Sequence, residues 1–249
     1  MLTTVGLKAT DGAGVDYGRE WSPYVTLRGG WLFGGDAKGD VTVTGHPENN
    51  GSLKENIKSA WSGSGEFGVS FCEDRVSVGL ELGYFSGTGK TAFTDDRLSD
   101  YSFAGVCYLE EGDEGYCRTD GRYKNLFAAV NVTLKKDVNE RAFVYGGIGA
   151  GMVRSDFGSI DYRYHEYNPD ELHSGRIDFK AKWRFLGQAF AGLGWYLNDN
   201  WSLTVGYRLR YLAGDGCASG TFSHDRVRWD WKVKQDLIHA AEIGVTWRF

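Results

Sequence analysis

Arginine, glutamate and glutamine side chains recur within segments whose other residues are apolar or small. The residues are Arg28, Glu66, Glu81, Arg184, Gln188, Arg208, Arg210 and Glu242. Such charges are tolerated in a protein interior only when they are paired and hydrogen-bonded, and in a pore they line a path for an ion or solute. Ion pairing and pore lining both require these side chains to share one interior, and this depends on the secondary-structure elements that carry them.

The chain is predicted to form eight β-strands. Eight segments of about 10–13 residues alternate large apolar residues with small or polar ones, which is the period of a strand. They lie near 24–33, 61–71, 76–84, 124–134, 142–153, 183–197, 201–212 and 237–249. Their length exceeds the 5–6 residues of a typical globular strand and fits the ~9–11 of a tilted membrane strand. The longest uncharged stretch, 185–198, is too short for a membrane-spanning helix.

The connections between these segments alternate in length. Long polar stretches follow 33, 85, 154 and 212, whereas short turns are expected at 72–75, 135–141 and 198–200. This layout predicts an all-β fold, an eight-stranded antiparallel up-and-down transmembrane β-barrel with four long outer loops and three short inner turns. We expect residues 1–21 to be a flexible periplasmic lead-in and 22–249 to be the barrel domain.

Side-chain size predicts which face points outward. One face carries about five large apolar residues per strand, which an eight-stranded barrel cannot enclose, while the other is mostly Gly, Ser, Ala and Thr. We therefore favour a lipid-facing apolar exterior over a soluble, lipocalin-like barrel. Aromatic residues at both strand ends predict two interfacial belts. One belt contains Trp31, Trp61, Tyr84, Trp183 and Tyr211, and the other Phe71, Trp195, Trp201 and Trp247.

Composition excludes several other classes. Glycine is abundant, with 36 of 249 residues, and aromatic residues make up 15%. These features argue against collagen-like, disordered and long-helix proteins. The net charge of −5 with interspersed signs argues against nucleic-acid binding. No metal or cofactor site is predicted.

The C-terminal segment resembles the closing strand of small bacterial outer-membrane β-barrels of the OmpA transmembrane-domain and opacity-protein type. Ile243, Val245, Trp247 and Phe249 alternate up to a terminal phenylalanine, and Asn198–Arg208 resembles the penultimate hairpin of these barrels. The resemblance implies that the barrel-assembly machinery recognises the last strand, and that the protein contacts outer-membrane lipid and lipopolysaccharide. It implies outer-membrane localisation, with a signal peptide presumed removed.

The predicted function is structural or surface-interactive, as in adhesin-like barrels whose outer loops contact a host or surface ligand. In this interpretation, Glu/Arg pairs plug the lumen. The alternative is a narrow, low-conductance porin or channel gated by the same pairs. A lipid A-modifying enzyme is less favoured, since the His-x-Ser-Asn run of barrel lipid A deacylases is absent. His224-Asp225 resembles the pairs of outer-membrane proteases, but no matching acidic pair is found. We therefore predict no enzyme activity.

The four cysteines are predicted to fall at opposite ends of the barrel. Cys72 lies in an inner turn, too far for a disulfide with the others, and Cys107 and Cys117 are close neighbours in the 86–122 loop. We expect these two to form a disulfide in an oxidising envelope, with Cys217 free or exchanging. Four reduced thiols are the alternative. The acidic residues of the 86–122 loop are interpreted as a solvated loop rather than a Ca²⁺ site.

Overall fold

The computed structural model describes residues 21–43, 51–93, 122–156, 159–165, 172–178, 181–221 and 228–249. They form ten strands: β1 (Trp21–Val43), β2 (Gly51–Phe71), β3 (Val76–Phe93), β4 (Arg122–Asn139), β5 (Ala142–Asp156), β6 (Ser159–His165), β7 (Leu172–Asp178), β8 (Lys182–Tyr196), β9 (Trp201–Thr221) and β10 (Arg228–Arg248). In these ranges no helix is long and apolar enough to cross a membrane.

Eight of the strands close into an antiparallel barrel, as the alternation predicts. The order around the barrel is β1-β10-β9-β8-β5-β4-β3-β2. The closing pair sets Tyr24 opposite Arg248 and Trp31 opposite Ala241. The remaining strands, β6 and β7, pair only with each other and form a hairpin between β5 and β8. The predicted eight-stranded up-and-down barrel is confirmed.

Most barrel strands are longer than predicted and take up parts of the expected outer loops. β1 continues to Val43, β3 to Phe93 and β9 to Thr221. Cys217 is therefore in a strand, where it pairs with Lys232, and not in a loop. The sequences of these extensions do not alternate apolar residues with small or polar ones, so periodicity alone did not predict them as strands.

The inner turns are short, and one has an unusual backbone. β4 continues through Asn139, so the expected 135–141 turn is reduced to Glu140 and Arg141. In the 72–75 turn, Cys72, Glu73 and Asp74 all have positive φ, at 52°, 57° and 66°. This conformation costs non-glycine residues free energy, so other contacts must stabilise the turn.

Asp74 makes those contacts. Its carboxylate accepts a short hydrogen bond from the Ser70 hydroxyl and lies 3.2 Å from Nη1 of Arg248 and 3.7 Å from Nζ of Lys135. The turn is thereby attached to β4 and β10 across the inner mouth. The last residue is also held, because the Phe249 amide donates to the Pro23 carbonyl at 3.2 Å.

Several expectations concern residues outside the described ranges. These are most of the 1–21 lead-in, the tips of the outer loops and the Cys107–Cys117 pair. They stay predictions, as does the division into lead-in and barrel domain.

Candidate functional site

The lumen contains a charged network in its inner half, and Glu66 is one of its centres. Glu66, on β2, accepts hydrogen bonds from Oη of Tyr24 at 2.6 Å, Nη1 of Arg28 at 3.0 Å and Nδ2 of Asn131 at 2.6 Å. Its side chain is almost fully buried. Charge-assisted bonds of this length are among the stronger hydrogen bonds in proteins, so the carboxylate is well compensated.

Glu81, on β3, is the second centre and connects opposite walls of the barrel. It accepts from Ser64 at 2.6 Å, from Asn131 at 2.7 Å, from Gln188 at 3.0 Å and from Nη1 of Arg208 at 2.9 Å. Gln188 and Arg208 stand on β8 and β9, across the lumen from β3. These bonds therefore bridge the interior rather than follow the wall.

Glu242, on β10, completes the network with two arginines. Its carboxylate accepts from Nε of Arg208 at 2.7 Å and from Nη2 of Arg210 at 2.6 Å. The Arg210 guanidinium also lies over the rings of Phe85 and Phe127, at 5.5 and 5.3 Å from their centroids. Arg210 thus joins the charged network to the apolar residues beyond it.

Seven of the eight predicted lumen residues are brought together in this way. Three arginines (Arg28, Arg208, Arg210) face three glutamates (Glu66, Glu81, Glu242), so their formal charges cancel, +3 and −3. Sequence reasoning did not single out Tyr24, Ser64 and Asn131, which supply hydrogen bonds to the glutamates. On β1, β2 and β4 these residues occupy the alternate positions that face the lumen, and this alternation in the sequence could have identified them.

Arg184, the eighth predicted residue, is separate from the network. It lies near the outer end of β8, where Nη1 is 2.5 Å from Oδ2 of Asp236. Its Nε donates to the Gly214 carbonyl at 3.2 Å. The expectation that Arg184 joins the other charges is wrong, because three residues of β8 separate it from Gln188 and an apolar layer lies between them.

That apolar layer lies in the outer half of the lumen, where the polar side chains of Asn125, Ser155, Arg184 and Asp236 are also buried. Its side chains each expose 1% or less: Leu32, Phe85, Phe127, Val153, Leu186, Leu212 and Ile238. On β8 and β9, Leu186 and Leu212 each lie two residues further toward the outer rim than Gln188 and Arg210. The expectation of a lumen face made mostly of small residues is therefore wrong in the outer half.

Small residues are needed where the network crosses the lumen. A Cβ on Gly149 would collide with the Asn131 carboxamide oxygen and stand 3.0 Å from Cγ of Gln188. Glycine at this position lets the two amides meet, with Gln188 Nε2 donating to Asn131 Oδ1 at 2.6 Å. The small residues thus accommodate the polar bridges.

Between the network and the inner mouth lies a cavity of about 70 Å³. Arg28 and Glu66 line its closed end beside the charged network, and Asp74, Lys135 and Arg248 line its opening at the inner mouth. This volume accommodates a few water molecules. None of the apolar-layer residues lines it, so the cavity ends at the charged network.

The outer surface of the barrel is apolar between two aromatic belts. Leu27, Phe67 and Ile148 each expose more than 60% of their surface. Phe71 follows Trp61 by ten residue positions along β2. At ~3.3 Å per residue and a tilt of about 40°, they span roughly 25 Å, the height of the lipid-facing band of membrane barrels. Only hydrocarbon matches this surface. The chain has the architecture of a transmembrane β-barrel.

The barrel places its predicted belt residues on its exterior. Trp31, Trp61, Trp183 and Tyr211 are exposed near the outer rim, with Tyr84 half-buried against Trp61 at a ring distance of 5.4 Å. Phe71, Trp195, Trp201 and Trp247 are exposed near the inner rim. The residues of the predicted assembly signal, Ile243, Val245, Trp247 and Phe249, all face outward. Their recognition by the assembly machinery stays a prediction.

Several solved structures are similar to the chain, each with a TM-score below 0.5. No protein-family model and no curated protein matches the chain. Among solved structures, the chain is similar to Neisserial surface protein A, with 10% identity, a TM-score of 0.39, and 91% of this chain and 97% of that chain covered. It is similar to the outer membrane protease OmpT from Escherichia coli, with 12% identity, a TM-score of 0.46 and coverages of 92% and 97%. It is also similar to Ail, the attachment invasion locus protein of Yersinia pestis, in complex with the heparin analogue sucrose octasulfate, with 13% identity, a TM-score of 0.28 and coverages of 89% and 98%.

Cysteine, histidine and serine residues that could act as a nucleophile or base lie in separate segments of the chain. Cys72 is a free, exposed thiol in the inner turn. His165, His173 and Ser174 belong to the β6–β7 hairpin, where Tyr164 is the register partner of His173, and His224 and Asp225 lie outside the described residues. Within the described part of the chain, no cluster of three His, Cys, Asp or Glu residues is arranged to hold a metal ion.

Proposed function

We propose that this outer-membrane barrel is sealed and serves a structural or surface-interactive role rather than conducting solutes. The apolar layer across the outer half of the lumen carries this proposal. A hydrated ion would have to shed its water to pass between side chains that expose 1% or less, and no polar group of that layer replaces the lost hydration.

The charged network is a second barrier in series with the first. An ion moving from the inner cavity would have to separate Arg208 from both Glu81 and Glu242, which lie at 2.9 and 2.7 Å. Breaking a buried pair costs about 3–5 kcal/mol. The two barriers favour the sealed interpretation over the narrow channel gated by Glu/Arg pairs.

Single-channel recording in planar bilayers tests the seal. We expect no conductance steps from the parent protein or from Glu81→Ala, because the apolar layer remains when the network is weakened. Addition of a known porin to the same bilayer controls for the sensitivity of the recording. Reproducible steps from the parent would overturn the seal and favour a channel.

The extended strands support a surface-interactive role. Five neighbouring strands, β9, β10, β1, β2 and β3, continue pairing outward as far as Thr221–Arg228, Val43–Trp229 and Leu53–Phe93. They form a paired sheet that continues beyond the aromatic belt and ends at Val43, Gly51, Thr221 and Arg228, where two of the chain's connections begin and end. Loops on a rigid scaffold are common sites of recognition.

Binding assays test this second part of the proposal. Labelled protein in nanodiscs is offered host matrix proteins, glycans and lipopolysaccharide, and a variant with 44–50 and 222–227 replaced by short Gly/Ser linkers is the control. We expect binding to at least one class that the variant loses. Equal signals from both proteins would overturn the adhesin-like role and leave the structural one.

A further inference from the structure

The cavity at the inner mouth is lined by hydroxyl groups that have no hydrogen-bond partner. They belong to Ser77 on β3, Thr133 on β4 and Ser202 on β9, and no hydrogen bond among the described residues engages any of the three hydroxyls. Ser202 exposes only 1% of its surface. Buried polar groups are normally hydrogen-bonded to protein or to an ordered molecule, so these hydroxyls indicate that the cavity holds a polar occupant.

Two cations at the opening of the cavity share a single carboxylate. Lys135 and Arg248 lie 3.7 and 3.2 Å from Oδ2 of Asp74, and the same carboxylate accepts a hydrogen bond from Ser70. The two cationic side chains expose only 10% and 15% of their surface. In the charged network, by contrast, each arginine lies within 3.0 Å of a glutamate oxygen. The charges at the opening are therefore less well compensated than those deeper in the lumen.

The charges of the cavity lining indicate the sign of the occupant. Three cationic and two anionic side chains line the cavity, namely Arg28, Lys135, Arg248, Glu66 and Asp74. Three positive and two negative charges leave an excess of one positive charge. Asp137 lies at the exposed rim outside this lining, where its carboxylate accepts a hydrogen bond from Tyr196 at 2.7 Å. A partly buried charge is unfavourable unless it is paired, so the lining favours an anion with a single charge.

The size and the donor groups of the cavity match a carboxylate. At roughly 10–15 Å³ for each water-sized occupant, the cavity of about 70 Å³ has room for about five to seven such units, and acetate has four non-hydrogen atoms. The planar guanidinium of Arg248 matches the two oxygens of a carboxylate, and Lys135 adds a point charge. A phosphate monoester carries a charge of about −1.5 to −2 at neutral pH, which exceeds the positive excess of the lining.

We propose that the inner-mouth cavity binds a carboxylate group, either of a small free carboxylate or of a chain end that enters from the inner mouth. The carboxylate lies between Lys135 and Arg248 and accepts hydrogen bonds from the unpartnered hydroxyls. Because the cavity ends at the charged network, the ligand enters and leaves through the same opening. This inference goes beyond the proposed surface-interactive role, and it does not depend on what the outer loops bind.

Saturation-transfer difference NMR of the full chain in detergent micelles tests the proposal with acetate as the probe. The test variant Lys135→Gln removes one cation at the opening. The matched control Lys136→Gln removes the next cation on β4, whose alternate position turns its exposed side chain away from the lumen. Loss of a hydrogen bond to a charged group weakens binding about tenfold or more. We therefore expect the Kd for acetate to rise at least about tenfold in the test variant and less than about twofold in the control.

Ser202→Ala provides a second measurement in a variant that keeps every charge and ion pair. Loss of one hydroxyl donor should raise the Kd for acetate about threefold. Heat-modifiable migration in electrophoresis verifies that each variant is folded. Three results would each overturn the proposal: equal losses from Lys135→Gln and Lys136→Gln, unchanged acetate binding in both Lys135→Gln and Ser202→Ala, or no saturable acetate signal from the parent. Each would leave water as the occupant of the cavity.

Competition against bound acetate identifies the source of the carboxylate. Displacement by N-acetyl-dialanine, but not by its C-terminal amide, would assign the site to chain-end carboxylates. If N-acetyl-dialanine leaves acetate bound, the site belongs to free small carboxylates. Displacement by the amide as readily as by the acid, or by inorganic phosphate at a lower concentration than unlabelled acetate requires, would overturn the assignment to a carboxylate.

Discussion

Replacing Arg208 by methionine removes the cation that joins the two halves of the charged network. Arg208 contacts Glu81 and Glu242, and its guanidinium lies 4.6 Å from the centroid of the Phe190 ring. Methionine preserves much of the aliphatic contact with that ring but removes both ion pairs. The network then changes from three positive and three negative charges to two and three.

The magnitude follows from what the glutamates retain. Glu81 keeps its hydrogen bonds from Ser64, Asn131 and Gln188 but is left with Arg28 at 3.7 Å as its cation, while Glu242 keeps Arg210. One buried negative charge is therefore uncompensated, and we expect the free energy of unfolding to fall by about 3–5 kcal/mol. In Arg208→Met/Glu81→Gln the charges balance again, so roughly half of this loss should be recovered.

Urea unfolding in lipid vesicles, followed by tryptophan fluorescence, measures both quantities. Lys136→Met, an exposed substitution at the inner rim, controls for the loss of a cation elsewhere and should change stability by less than about 0.5 kcal/mol. A loss below about 1 kcal/mol for Arg208→Met would refute the reasoning. So would a double variant no more stable than the single one, since uncompensated charge would not then be the cause.

Three further outcomes are expected. In the same unfolding assay, Gly149→Ala should lower the free energy of unfolding by about 1–3 kcal/mol, because its Cβ collides with Asn131. The control is Gly146→Ala, whose Cβ stands 3.5 Å from the nearest atom and which should cost less than about 1 kcal/mol. Equal costs from the two variants would contradict the close packing at Gly149. Asp74→Asn should lower the free energy of unfolding by roughly 1–2 kcal/mol, because Lys135 and Arg248 then lack their shared carboxylate. The control, Glu73→Gln at an exposed position of the same turn, should leave the stability unchanged. An Asp74→Asn variant as stable as the parent would mean that other contacts hold the turn. In whole cells, a membrane-impermeant maleimide should modify the exposed Cys72 thiol only after the outer membrane is permeabilised. Cys72→Ser is the control for labelling at other cysteines. Modification of Cys72 in intact cells would reverse the assigned orientation.

The alternation of residue types predicts which face a side chain occupies, and the network shows how far this extends. Glu66, Glu81, Arg208 and Glu242 were placed in a common interior by parity alone. Parity does not predict height along the barrel axis, because height depends on the stagger between neighbouring strands. Arg184 was therefore grouped with charges that lie several residues deeper.

The apolar layer shows a second limit of sequence reasoning. In the outer half of the barrel, inward residues such as Leu186 and Leu212 are as apolar as their lipid-facing neighbours, so hydrophobicity no longer distinguishes the faces. Beyond the aromatic belt the alternation disappears from the sequence, which is why the extended parts of β1, β3 and β9 were assigned to loops. The amphipathic signal exists only where one face meets lipid and the other a polar interior.

The balance of three arginines and three glutamates in the lumen also determines how the barrel responds to voltage. An electric potential moves a buried group only in proportion to the net charge that group carries, at about 2.3 kcal/mol per elementary charge for every 100 mV. A neutral set of linked side chains experiences opposing forces that cancel, so potentials across the envelope exert no net force on the interior. The charged network therefore resists displacement by an electric field because its positive and negative charges are equal in number, as well as because its individual bonds are strong.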